Sequence, residues 1–124
     1  MDSELCAKRC ILISGRQDII KVFLQLKTMF RLNFIKPGFF EGFERSANLI
    51  LLDISSICRF SDFDFARKLC SLKKKSLFLL PPEIPFLKRK LIYESRATYI
   101  EFPVDINSLI QKLENLLLQN VFKY

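Results

Sequence analysis

The sequence contains no histidine, and its four cysteines include no Cys-x-x-Cys pair. Zinc sites are commonly built from such cysteine pairs completed by histidine, so the usual zinc spacings are absent. Cys6 and Cys10 could share one face of a helix or a strand, but two thiols alone make a weak metal site. We therefore expect free, buried thiols at Cys6, Cys10, Cys58 and Cys70, with no metal and no cofactor.

Long apolar runs are also missing. Residues 49–52 and 77–80 are among the longest, far below the roughly 20 residues that a membrane-spanning helix needs. Residues 1–4 carry acid where a secretory signal carries positive charge, and no apolar segment follows them. We expect a cytoplasmic protein without a membrane segment.

The 124 residues are half apolar and 27% charged, which is typical of one folded domain spanning 1–124. The formal charge of +7 could attract nucleic acid, anionic lipid or an acidic protein. Its basic residues come in short clusters at 8–9, 73–75 and 88–90, which are more typical of solvated loops and helix surfaces. Charge alone does not choose a partner.

Five short apolar runs predict strands at 10–13, 32–35, 48–52, 76–80 and 98–102. Apolar residues at helical spacing predict helices from Asp18 to about 30, over 62–72, over 85–93 and from Asp105 to about 117. Ser61 or Asp62 and Asp105 are candidate caps. Residues 39–47 are aromatic and interrupted by Gly42, so a helix there would be short or irregular.

Buried-type strands that alternate with amphipathic helices predict an α/β fold with a parallel sheet covered on both faces. Right-handed crossovers then favour a doubly wound, flavodoxin-like (βα)5 arrangement with strand order 2-1-3-4-5. In such a sheet a site lies at the carboxyl ends of strands one, three and four. That edge should carry Ser14, Gly15, Asp53, Leu80 and Pro81.

Two segments resemble the receiver domains of bacterial response regulators. Residues 49–54, Leu-Ile-Leu-Leu-Asp-Ile, are similar to the third receiver strand, whose final aspartate accepts a phosphoryl group from a histidine kinase. The resemblance makes Asp53 the counterpart of that acceptor. Residues 97–103 are similar to the segment that carries the family's switch aromatic and Lys-Pro pair, with matches at Tyr99 and Pro103.

The same resemblance shows which chemical groups are replaced. Ser14 and Gly15 stand where the family has the acidic pair that holds Mg²⁺, Leu80 stands near its hydroxyl residue, and Phe102 replaces its lysine. Phosphoryl transfer needs a metal and donors to stabilise charge on the phosphoryl oxygens, and Asp53 alone is a poor magnesium site. Asp18 could approach, but its place in a first helical turn favours capping. We therefore expect a degenerate receiver, a pseudo-receiver, that is not an enzyme.

The sequence allows more than one role for Asp53 and for the residue that corresponds to the switch aromatic, Tyr99. Asp53 either caps a loop or helix, meets solvent at the strand end, or remains as a relic acceptor or polar contact for a ligand. Tyr99 corresponds to an aromatic that swings inward in receivers when a hydroxyl residue engages phosphate. With Leu80 at that position, we expect Tyr99 to stay on the surface.

The favoured function is regulation by protein contact or self-association, through the face formed by the fourth helix of a receiver, the fifth strand and the final helix. That face should carry Lys88, Arg89, Lys90, Arg96 and Tyr99. Two alternatives remain, which are a basic module associated with nucleic acid and a receiver that still accepts phosphate on Asp53. Phe39, Phe40 and Phe43 pack into the core or form an exposed patch.

Overall fold

The computed structural model describes residues 8–36 and 47–121 and contains a five-stranded sheet in the order β2-β1-β3-β4-β5. Every neighbouring pair is parallel. The predicted flavodoxin-like topology is therefore confirmed. The strands are β1 Arg9–Ile13, β2 Arg31–Ile35, β3 Leu49–Asp53, β4 Ser76–Leu80 and β5 Tyr99–Glu101.

Four α-helices connect and flank these strands in the described part of the chain, together with two short 3-10 turns at Ile54–Ser56 and Lys73–Lys75. The predicted second helix, with Phe39, Phe40 and Phe43, falls outside the described residues. None of the helices described is long and apolar enough to cross a membrane. The helices are α1 Gln17–Leu24, α2 Asp62–Leu72, α3 Phe86–Glu94 and α4 Ile106–Val121.

The core consists of two layers, one on each face of the sheet. Alternate strand residues point to opposite faces, so Cys10 and Leu12 pack against α1 and α4 while Ile11 and Ile13 pack against α2 and α3. All five residues of β3 and all five of β4 are buried. A sheet covered on both faces explains why its strands are continuous apolar runs.

Side-chain caps place the beginnings of two helices at the carboxyl-terminal edge of the sheet. Ser61 Oγ accepts a hydrogen bond from the backbone N–H of Asp64 over 3.2 Å, which caps α2. Asp105 Oδ2 accepts one from Ser108 N–H over 3.0 Å at the start of α4. Both predicted caps are confirmed. Each cap marks the residue at which a loop of this edge ends and a helix begins.

Candidate functional site

Asp53 is the last residue of β3, and none of its surface is exposed (0%). Its Oδ2 accepts a hydrogen bond from Ser14 Oγ over 2.8 Å. Its Oδ1 accepts two from Ser55, from the backbone N–H over 3.0 Å and from Oγ over 2.7 Å. Asp53 thus caps the 3-10 turn that follows β3. Of the predicted roles, capping is confirmed, and the alternative that Asp53 meets solvent at the strand end is wrong because none of its surface is exposed.

Ser14 and Gly15 form the turn after β1, where the resemblance places an acidic pair. Ser14 is buried, and its Oγ also accepts a hydrogen bond from Arg16 N–H over 3.1 Å. A hydroxyl therefore donates to Asp53 in the place where a metal-holding carboxylate would stand. Within residues 8–36 and 47–121, no group of three or more acidic, cysteine or histidine side chains could hold a metal. The residues present do not fit a Mg²⁺ site.

Arg16 is the centre of an ion-pair network at the same edge. Its Nη2 lies 2.9 Å from Asp18 Oδ2, and its Nη1 lies 2.7 Å from Glu83 Oε1 in the loop after β4. Hydrogen bonds from this guanidinium lower the pKa of both carboxyl groups. Asp18 also accepts a bond from Ile19 N–H at the start of α1 over 3.0 Å. Asp18 therefore lies in the first turn of α1 as predicted, but it is not the cap, because the N-cap position is Arg16 and makes no side-chain cap bond.

Leu80 and Phe102 are part of the core, one on each face of the sheet. Leu80 is fully buried at the end of β4, and its carbonyl accepts a hydrogen bond from Phe102 N–H over 2.9 Å. The Phe102 ring packs beside that of Phe23 with 6.4 Å between centroids. Neither side chain can donate to an anion, and both fill space between the sheet and its helices.

Lys88 is not part of an exposed face, contrary to the sequence-based expectation. It is only 8% exposed, because Lys88 and Ile92 lie four residues apart on the side of α3 that faces the sheet. Its Nζ lies 2.5 Å from Asp62 Oδ1 and 5.3 Å from the centroid of the Phe65 ring. Lys88 therefore ties α3 to the start of α2. The sequence did carry a signal for this burial, because Lys88 stands four residues before the apolar Ile92 and therefore on the same side of the helix.

Tyr99 lies on the outer surface, as expected, and packs against Tyr93 with 5.1 Å between ring centroids. The Tyr93 hydroxyl donates to Glu101 Oε1 over 2.6 Å, and Arg89 forms an ion pair with the same carboxylate. Arg89 Nη2 also donates to the carbonyl of Pro81 over 2.9 Å. Sequence reasoning missed Tyr93, although its spacing from Arg89 could have placed it on this side of α3.

Arg96 lies between α3 and β5, three residues before Tyr99. It follows the carboxyl end of α3 with a left-handed backbone (φ 62°) and lies at the amino-terminal edge of the sheet, before β5. Lys90 remains exposed in the middle of α3. The predicted face therefore divides into buried Lys88, ion-paired Arg89, outward Lys90 and Tyr99, and Arg96 in the loop that precedes β5.

The described cysteines are free thiols in three different environments. Cys10 is buried in β1, and burial raises the pKa of its thiol to about 12. Cys58 is half-buried, and burial raises its pKa as well. Cys70 is exposed on α2, which differs from the expectation of buried thiols, and Cys6 lies outside the described residues.

No family model and no curated protein matches this sequence. Several solved structures match the fold of this chain. The inactive regulatory domain of RitR, the repressor of iron transport regulator, matches over 91% of this chain and 97% of its own, with a TM-score of 0.66 and 21% identity. A CheY-like receiver from Methanospirillum hungatei matches over 90% of this chain and 95% of its own, with a TM-score of 0.62 and 20% identity. The chain has the receiver fold.

A longer structure also matches. A streptococcal redox sensor, of a family described as evolved from two-component response regulators, aligns with 94% of this chain at a TM-score of 0.69 and 21% identity. The chain spans about half of that protein, 53% of its length. These identities establish the fold alone. The shared fold agrees with the receiver resemblance found in the sequence.

Proposed function

We propose that this receiver-fold chain is a phosphorylation-independent signalling domain, not an enzyme, that acts in the cytoplasm by protein contact. The observation that carries the proposal is the burial and hydrogen bonding of Asp53. Its carboxylate is fully buried, and each of its oxygens already accepts hydrogen bonds from Ser14 or Ser55.

Phosphoryl transfer to Asp53 would require an exposed oxygen in line with the leaving group and positive charge near the equatorial oxygens. Here the approach to Oδ2 is taken by Ser14, and Oδ1 is turned toward the 3-10 turn. Leu80 and Phe102 supply no donors at the neighbouring strand ends. These features favour a carboxylate that stabilises the fold over one that accepts phosphate.

The contact surface in this proposal is the α3–β5 surface, which we define as Phe86, Lys90, Tyr93 and Tyr99. The three α3 residues lie at positions i, i+4 and i+7 and therefore share one side of the helix. Phe86 is 75% exposed, Tyr93 43% and Tyr99 37%. Exposed aromatic residues beside a cation resemble the centres of protein interfaces, where tyrosine and other aromatic residues contribute most of the binding energy.

The tyrosines of this surface are held in place before any partner binds. Tyr93 is fixed by its bond to Glu101 and by its contact with Tyr99, and Glu101 is fixed in turn by Arg89. Side chains that are already ordered lose less conformational entropy on association. Tyrosine side chains that are fixed in advance favour binding of a protein partner. The partner we propose is a second copy of the chain.

Absence of phosphotransfer can be tested by incubating the protein with acetyl phosphate and Mg²⁺ and measuring its intact mass, with an active receiver domain as the positive control. The expected spectrum shows no added phosphoryl group on this chain. An added group that disappears in Asp53→Asn would contradict the proposal. Circular dichroism of the variant confirms that it is folded.

Self-association through the α3–β5 surface can be tested by sedimentation velocity over a range of concentrations. Phe86→Ser is expected to weaken the dimer at least about tenfold, the effect of losing one interface anchor. Phe63→Ser is the matched control, because Phe63 is equally exposed (72%) but lies on α2. A wild-type chain that stays monomeric at its highest soluble concentration, or equal weakening by both variants, would contradict self-association through this surface.

A further inference from the structure

The described acidic residues are concentrated at one edge of the sheet. Apart from Glu94 and Glu114, all of those in residues 8–36 and 47–121 lie at strand ends, helix starts or loops of the carboxyl-terminal edge. Acids in the first turn of a helix complement its dipole, which accounts for several of them. The ion pairs of Arg16, Lys88 and Arg89 lie at this edge too. The acidic residues of this edge are Asp18, Asp53, Asp62, Asp64, Glu83, Glu101 and Asp105.

Basic residues stand at the opposite, amino-terminal edge. Arg31 is the first residue of β2, Arg9 the first of β1, Lys73–Lys75 directly precedes β4, and Arg96 precedes β5. Because the strands are parallel and ordered β2-β1-β3-β4-β5, these positions lie on one edge, at the starts of four of the five strands. Adjacent strands are about 4.8 Å apart, so the row extends over about 19 Å. We call Arg9, Arg31, Lys73, Lys74, Lys75 and Arg96 the amino-edge row.

Two lysines of the amino-edge row have fixed positions but keep their charge. Lys75 Nζ donates to the carbonyl of Ala47 over 3.0 Å, and Lys73 Nζ donates to that of Ser95 over 3.3 Å. A backbone carbonyl is a neutral acceptor, so these bonds orient the ammonium groups without cancelling their charge. Arg31, Lys74 and Arg96 are exposed. These three residues therefore present positive charge to solvent along the row.

We propose that the amino-edge row binds the phosphate backbone of nucleic acid, independently of base sequence. A polyanion with regularly spaced charges matches a line of cations, and arginine binds phosphate through two parallel hydrogen bonds. The row contains no aromatic or large apolar side chain. This distinguishes it from the α3–β5 surface, whose aromatic residues are suited to a protein. The overall charge of +7 adds long-range attraction for the same ligand.

The proposal can be tested by fluorescence anisotropy with a labelled, mixed-sequence single-stranded DNA of about 20 nucleotides, longer than one binding site. The test variant combines Arg31→Gln, Lys74→Gln and Arg96→Asn, since asparagine tolerates the left-handed backbone at 96. Affinity at low salt should fall at least about tenfold. The slope of log affinity against log salt should become shallower by about 2, because three phosphate contacts are lost at about 0.7 each.

A charge-matched control combines Lys21→Gln, Lys36→Gln and Arg67→Gln, which are exposed residues outside both the row and the α3–β5 surface. The control should keep most of the salt slope, and unlabelled DNA of another sequence should compete fully. Absence of binding at low salt, or an equal loss in both variants, would overturn the proposal. Displacement of the DNA by poly-glutamate as effectively as by unlabelled DNA would also overturn it, in favour of an acidic protein partner.

This test is independent of the α3–β5 surface. Phe86→Ser leaves every residue of the amino-edge row unchanged, so it should weaken self-association and retain DNA affinity. Failure of one proposal is therefore distinguishable from failure of the other.

Discussion

Ser14 Oγ donates a hydrogen bond to Asp53 Oδ2 over 2.8 Å and joins the ends of β1 and β3 in the interior of the fold. The two residues are 39 positions apart in the chain. A buried carboxylate without enough donors is costly, so this bond and those from Ser55 make Asp53 tolerable at a position closed to water.

Ser14→Ala is expected to lower the free energy of unfolding by about 1–3 kcal/mol, because the buried carboxylate loses a donor that water cannot replace. Urea unfolding followed by circular dichroism measures the change. Ser71→Ala is the control, since Ser71 is exposed and donates only to the carbonyl of Lys68 in its own helix. Equal effects of the two substitutions would show that the Ser14 bond contributes little.

Phe102→Lys introduces the lysine that receivers, which the sequence resembles, have at this position, and it is expected to destabilise the fold by about 3 kcal/mol. The substitution removes a ring that packs beside Phe23 and brings an unpaired charge into an apolar layer. Phe102→Leu, which keeps an apolar side chain, should cost about 1 kcal/mol. The midpoints of urea unfolding compare the two. A lysine variant as stable as the leucine variant would mean that the charge reaches solvent.

Asp62→Ala should cost more stability than Lys88→Met, by about 1 kcal/mol. The first leaves a largely buried ammonium group without its carboxylate, whereas methionine keeps an apolar stem near Phe65 and has no charge. In the Lys88→Met background, Asp62→Ala should cost only about 0.5 kcal/mol, the effect of losing an acid from the first turn of α2. Four unfolding curves complete this double-mutant cycle, and additive effects would show that the pair is not coupled.

Arg16→Gln should raise the pKa of Asp18 and of Glu83 toward their ordinary values, because the guanidinium that lowers both is removed. A depressed folded-state pKa stabilises the protein above the unfolded pKa of about 4, and that stabilisation is lost as the pH falls. The variant should therefore show a weaker dependence of stability on pH below about 4. NMR titration of the carboxyl carbons reads each pKa directly, and unchanged values would contradict the network.

Thiol labelling should follow exposure. At pH 8, iodoacetamide is expected to modify Cys70 first, Cys58 more slowly, and Cys10 only after unfolding in guanidinium. Burial prevents access to Cys10, and its pKa of about 12 keeps it protonated. Peptide mass spectrometry assigns each site. Rapid labelling of Cys10 in the folded protein would contradict its place in the core.

The sheet could be predicted because its central strands are buried on both faces. A run such as residues 49–52 leaves no polar face, and the acid that follows it marks the strand end. The topology then follows from the handedness of the crossovers. The end of α1 was predicted less well, since Leu26 and Phe30 continue the helical spacing but lie in turns after Leu24.

The candidate site could be located from the sequence but not described. The strand ends identified Ser14 and Asp53 as neighbours, whereas the donation from Ser14 depends on tertiary geometry. The two bonds from Ser55 are local and depend on the 3-10 turn that follows β3. Lys88 was misplaced for a related reason. Its partner Asp62 is 26 residues away, and no local pattern shows that a buried ammonium group has a carboxylate beside it.

The shortness of β5 limits how a partner can bind. This edge strand has only three residues, and Glu101 at its end is engaged by Arg89 and Tyr93 from α3. A short edge strand flanked by charged side chains is a poor template for adding a strand from another chain. The association proposed for this side of the molecule would therefore use side chains and leave the hydrogen-bonded sheet at its own five strands.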